Sequence, residues 1–148
     1  MAIQAAQVST EVRAPPDSVW KALTTAKILG DCFFGSTVET DWNVGRPILF
    51  RGEWKGKRFE DKGEITAFSP PTHLRFTHWS ALTGTADKPE NYHLVDFVLS
   101  PSGARTKVTV TQENQDGKPV DTGAQQALSK NWKSILDVLK KAVESTQH

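Results

Sequence analysis

From residue 46 to residue 113, apolar and polar residues alternate in a phase that survives every turn between the segments. Ile48, Phe50, Gly52 and Trp54 share one face, against Leu49, Arg51 and Glu53 on the other. Phe59, Asp61, Gly63, Ile65 and Ala67 then oppose Glu60, Lys62, Glu64 and Thr66. Leu74, Phe76 and His78 follow, then His93, Val95, Phe97 and Leu99, then Val108, Val110 and Gln112. Strand side chains alternate with a period of two, so a slip of one residue would turn a whole strand inside out. Turn residues at Asn43-Val44-Gly45, Lys55-Gly56, Ser69-Pro70-Pro71 and Pro101-Ser102-Gly103 punctuate the pattern. They predict strands near 36–42, 46–54, 57–68, 72–79, 91–100 and 105–113. Pairing through the turns puts 54 opposite 57, 68 opposite 73, 76 opposite 95 and 97 opposite 108. Tight turns make successive strands antiparallel neighbours, and the result is a sheet with one apolar face to cover.

The chain ends supply the cover. Thr122-Gly123-Ala124-Gln125 has capping-box spacing, and Leu128, Trp132, Ile135, Leu139 and Ala142 then recur at steps of four and three. Leu136 and Val143 widen that stripe, which predicts a long C-terminal helix with one apolar face. At the other end Val8, Thr10 and Val12 alternate as a strand expected to pair with the last one. Pro15-Pro16-Asp17 opens a short helix carrying Val19, Trp20 and Leu23, and residues 26–35 read as a second short turn or loop. The fold expected is α+β: a curved antiparallel sheet of about seven strands wrapped around the C-terminal helix, in a single domain of residues 1–148.

Composition removes several function classes. Eighteen Lys and Arg against 17 acids leave a net charge of +1, which does not suit a polyanion, so no nucleic-acid partner is expected. No apolar run approaches the roughly 18 residues needed to span a bilayer, and residues 1–7 lack the basic and apolar regions of a secretory signal. Cys32 is the sole cysteine, so no internal disulfide forms and a cytoplasmic setting is expected. There is no nucleophile elbow, zinc-protease motif, phosphate-cradling glycine loop or cysteine pair, and no metal, cofactor or catalytic residue is assigned.

The polar residues on the inner face carry the functional reading. The pairing sets His78 beside His93 with Gln112 beyond it in one row. Gly63 falls opposite His78 and is expected to leave space there, and Asp61 lies one step along beside Phe50. These groups gather at the end of the sheet carrying the long connection 80–90, which is expected to act as a flap. Unpartnered polar groups do not belong in a dry core, so their convergence predicts the mouth of a cavity. The candidate ligand-binding residues are Phe50, Trp54, Asp61, Phe76, His78, His93, Phe97, Gln112 and Trp132.

A family resemblance enters on several segments in order. Residues 14–24, Ala-Pro-Pro-Asp-Ser-Val-Trp-Lys-Ala-Leu-Thr, follow a short strand as in the START-like, or SRPBCC, helix-grip superfamily. Residues 41–47, Asp-Trp-Asn-Val-Gly-Arg-Pro, the stretch from Gly63-Glu64-Ile65 to Pro70-Pro71, and Asn131-Trp132-Lys133-Ser134-Ile135-Leu136 sharpen it. They resemble bacterial proteins related to the C-terminal domain of the heat-shock-protein-90 ATPase activator. The resemblance implies a seven-stranded grip, two short helices after the first strand, and a cavity between sheet and C-terminal helix. It spans lipid carriers, hormone receptors, polyketide cyclases and chaperone regulators, so fold alone does not choose among them. The reading adopted is a binding module for a small hydrophobic or aromatic, lipid- or polyketide-like molecule. Its alternatives are a cyclase- or hydrolase-like enzyme using the cavity His and Asp, and a chaperone ATPase regulator. Against the last, the eukaryotic activator carries an additional N-terminal domain, which 148 residues do not accommodate.

Overall fold

The alternating segments become one seven-stranded antiparallel sheet in the order 5–12, 105–114, 93–102, 73–78, 57–69, 47–54 and 37–39. The structure is a computed structural model describing residues 5–33, 35–80, 86–115 and 122–145, with the side chains of Ala5, Trp54 and residues 122–128 outside that description. In chain order the elements are β1 (Ala5–Val12), α1 (Pro16–Leu23), α2 (Ala26–Cys32), β2 (Thr37–Glu39), β3 (Pro47–Trp54), β4 (Lys57–Ser69), β5 (His73–His78), β6 (His93–Ser102), β7 (Arg105–Asn114) and α3 (Thr122–Glu144). A 3-10 turn, Pro89–Asn91, precedes β6. β1 pairs with β7 along its whole length, as the terminal alternation predicts. Residues 26–35, expected as a turn or loop, contain α2, the second short helix that the family resemblance implies.

α3 lies in the concave face of the sheet and buries most of the predicted stripe, with Ala142 half-buried. Trp132, Ile135, Leu136, Leu139 and Val143 are all buried, against Ile48, Phe50, Leu74, Phe76, Val95, Phe97, Val108 and Val110 from the strands. Removing that much apolar surface from water is the main force holding helix to sheet. The far end of α3 is pinned by polar contacts to β1 and to Arg13 just after it. Glu144 accepts the Arg13 backbone N–H at 2.9 Å and its guanidinium at 3.2 Å, and Lys140 donates to the Glu11 carbonyl at 2.8 Å. The Thr122–Gln125 cap and Leu128 fall among the side chains outside the description.

Three register expectations need correction. β4 carries a bulge between Ile65 and Ala67, so Phe68 meets Leu74 and Ser69 meets His73, not 68 with 73. The extra residue moves Ala67 to the outer face opposite Arg75 and turns Phe68 inward, where its ring meets Trp20 edge-on at 5.2 Å. β6 and β7 run on to Ser102 and Arg105, so Phe97 meets Val110 and not 108, and Leu99 takes Val108. The shift is two residues, which keeps the faces but moves the rows. β2 covers only 37–39, and the chain leaves extended geometry by Trp42, whose φ is +60°. By contrast Trp54 meets Lys57 as expected, through a turn in which Lys55 and Gly56 both have positive φ.

Cys32, the last residue of α2, is 3% exposed, and burial, with Asp31 beside it, pushes its thiol up to about 12. Its folded pKa is raised above the ordinary 9.0, so the stability it contributes is present below pH 9 and lost as pH rises toward 12. Cys32→Ala should therefore lose less stability than the wild type between pH 8 and pH 11 in urea titrations. In the native protein the thiol should also resist a disulfide reagent at pH 8, reacting only on unfolding.

Candidate functional site

At one end of the grip the packing of α3 on the sheet is incomplete and leaves a cavity of about 250 Å³. β3 contributes Phe50, β4 contributes Phe59 and Asp61, β5 His78, β6 His93 and Val95, and β7 Gln112. Each of these positions points to the concave face because of the strand alternation. Asn131, Trp132 and Ile135 of α3 form the opposite wall, while Phe33, Ser36 and Ser80 close the sides.

The apolar part is a set of packed rings. Phe33 lies 4.8 Å from Phe50 and meets Trp132 edge-on at 5.6 Å, centroid to centroid. Phe76 and Phe97, both expected to touch a ligand, are instead core: they are 0% and 1% exposed and do not line the cavity. They support it from behind, Phe76 under Phe50 at 5.8 Å and Phe97 against Trp132 at 5.9 Å. The Trp54 side chain is outside the described residues.

The polar part gathers as the alternation predicts, with a changed order. His78 faces His93 across β5 and β6, and both line the cavity. Asp61 pairs with Phe50, and its Oδ2 lies 3.1 Å from His78 Nε2. The two-residue shift of β7 puts Asn114, not Gln112, beside His93, and their Nδ1 and Oδ1 are 3.2 Å apart. Gln112 pairs with Val95 one step deeper, where it is buried and accepts the Trp132 indole N–H at 2.8 Å. That bond ties sheet to helix, so one end of Gln112 is structural. Gly63 opens no space near His78. A Cβ there would collide with the Thr77 carbonyl oxygen, so the missing side chain serves the close approach of β4 and β5.

Phe33 is the chief lining residue that sequence reasoning missed. It follows α2 directly, and the spacing of Ile28, Leu29, Cys32 and Phe33 is the helical signal that could have exposed it. Of the connection 80–90, residues 81–85 are outside the description. Its later part is fastened to the outer face of the sheet: Asp87 pairs with Lys62 and accepts the Tyr92 hydroxyl at 2.6 Å, and Trp79 stacks on Tyr92. Among the described residues no group of three or more His, Cys, Asp or Glu is placed to hold a metal ion.

An acidic group, an imidazole aligned by it, and a ring-lined floor make an arrangement that can seat a mainly apolar molecule by one polar end, or exchange a proton with it. The family model described as activator of Hsp90 ATPase homolog 1-like protein matches residues 13–144. A Cytophaga hutchinsonii protein solved in solution is 39% identical, with 98% of this chain and 97% of that one covered at a TM-score of 0.80. The Aha1 dimer from Colwellia psychrerythraea is 19% identical, with 97% and 98% covered and a TM-score of 0.71. DynU16, from the dynemicin biosynthetic locus, is 19% identical at a TM-score of 0.75, and the match covers 95% of this chain but 47% of that one. No curated protein matches the chain.

Proposed function

The chain belongs to the activator of Hsp90 ATPase homolog 1-like family, and on that premise we propose that it is a binding module for a small, largely apolar or aromatic molecule. One observation carries the reading. The cavity of about 250 Å³ has a floor of aromatic rings and its polar groups collected at one end. That is how a site holds an amphipathic guest: burial supplies affinity and a few polar contacts fix orientation. The candidate contact residues are Phe33, Phe50, Phe59, Asp61, His78, His93, Gln112 and Trp132, with Phe76 and Phe97 as their supports. No cofactor, metal or catalytic residue is part of the proposal. A cytoplasmic setting goes with it, and no described helix is long and apolar enough to cross a membrane.

The test is titration of isotope-labelled protein with a panel of one- and two-ring aromatic compounds, read by NMR. Backbone signals of Phe33, Phe50 and Val95 and the Trp132 indole signal should shift and saturate together. Shifts confined to the outer face around Lys62 and Thr77, or none, would overturn the reading. Turnover of an ester or an aromatic polyketide mimic would replace it with the enzyme alternative. Stoichiometric co-purification with a chaperone, lost on outer-surface substitution and indifferent to the cavity, would replace it with the regulator alternative.

A further inference from the structure

We propose that the molecule held in this cavity carries a hydroxyl group on an aromatic ring and donates that O–H to the Asp61–His78 pair. The inference rests on the binding-module reading and narrows it to one ligand chemistry. In the 3.1 Å contact between Asp61 and His78, His78 donates its Nε2–H and Asp61 Oδ2 accepts. Asp61 brings only acceptors to the cavity. Its Oδ1 is buried with no hydrogen-bond partner among the described residues, so the 17% of the side chain that is exposed lies on its other atoms and a guest meets the pair at Oδ2.

Both members of the pair line the cavity, so this corner asks its guest for a donor. A carboxylate, ketone or ether would bring only lone pairs to a site already rich in them. The walls narrow the choice further. Phe33, Phe50 and Trp132 present ring edges and faces to the same space, which favours a flat aromatic body. An ammonium donor would answer Asp61 as well, but it would have to shed its water in a pocket walled mainly by rings.

The experiment compares 2-naphthol with 2-methylnaphthalene, which has the same shape and no donor, and with 2-naphthylmethylamine, by calorimetry on the wild type and on His78→Phe and Asp61→Asn. A hydrogen bond to a charged acceptor should give 2-naphthol an advantage of about tenfold or more over 2-methylnaphthalene in the wild type. Both variants should bring the two within about twofold of each other, the comparison being made within each variant. Urea unfolding and the Trp132 indole signal show that each variant is folded around its cavity. Equal binding of the two in the wild type would overturn the hydroxyl inference and leave the binding-module reading standing. So would an unchanged preference in both variants, or tighter binding of the amine than of 2-naphthol. Absence of binding by all three, with no shift of the Phe50 or Trp132 signals, would overturn the inference and the reading beneath it together.

Discussion

Gly63→Ala should destabilise the protein by about 3 kcal/mol, the upper end of what overpacking a filled site costs. Its added Cβ would meet the Thr77 carbonyl and lie 3.2 Å from the His78 backbone nitrogen, so the obstruction is backbone on the neighbouring strand. No rotamer change relieves such a contact; β5 would have to move away from β4. That movement acts on the site, because Asp61 lies two residues before Gly63 on β4 and His78 faces Gly63 from β5. The Asp61–His78 contact should therefore lengthen in whatever fraction folds, visible as a shifted His78 ring signal. Gly52→Ala is the control. There the added atom meets the ring of Phe59 at 2.7 Å, a side chain free to swing, so the loss should stay below about 1.5 kcal/mol. Urea unfolding of both variants decides it. Equal losses would mean that the β4–β5 approach has slack and that Gly63 is not what holds the two strands in contact.

Gly63 also shows where the sequence was legible and where it was not. The alternation placed it on the inner face opposite His78, but a pattern of two states per residue says nothing about how closely two backbones approach. The faces of β3, β5, β6 and β7 were readable because each strand alternates cleanly and the Lys55-Gly56 turn fixes its own pairing. The β4 bulge was not readable, since Thr66 and Ala67 sit comfortably on either face and neither marks an inserted residue. Pro101 misled in another way. It reads as a turn residue, yet it lies within β6, where β5 has already ended at His73 opposite Val98. Leu99 donates its N–H toward the β5 side, to Thr72, so Pro101 would point its missing N–H to a side with no strand to receive it. Extending β6 past Pro101 shifts β7 by two residues, which is why Gln112 is found beside Val95 and Asn114 beside His93. The candidate site survives this because a two-residue shift preserves the face. What changes is which polar group is free and which is structural, and that depends on side-chain reach that no periodicity encodes.

Trp132→Ala should cost about 3–5 kcal/mol, because this side chain joins the helix to the sheet in three ways at once. It is 5% exposed, it meets Phe33 and Phe97 edge-on, and its N–H is the bond received by buried Gln112. Truncation removes the ring contacts and also leaves the Gln112 carbonyl oxygen without its partner. The second part alone is worth about 1–3 kcal/mol, the penalty for a buried acceptor left unsatisfied. Trp132→Phe separates the two, since it keeps an aromatic ring between Phe33 and Phe97 but has no N–H, and it should lose about 1–3 kcal/mol. The lower end of the range is expected for Trp132→Ala, because the space it vacates opens into the existing cavity of about 250 Å³ and water can enter it. The same merging has a binding consequence. A flat aromatic guest loses one wall of its site, so its affinity should fall by at least tenfold in Trp132→Ala and by much less in Trp132→Phe. Urea unfolding and calorimetry with a two-ring aromatic measure the two effects separately. A loss of stability below about 1 kcal/mol in Trp132→Ala would show that the helix is held by Ile135, Leu136, Leu139 and Val143 alone. Unchanged aromatic binding in a folded Trp132→Ala variant would remove this residue from the cavity wall that the proposed function depends on.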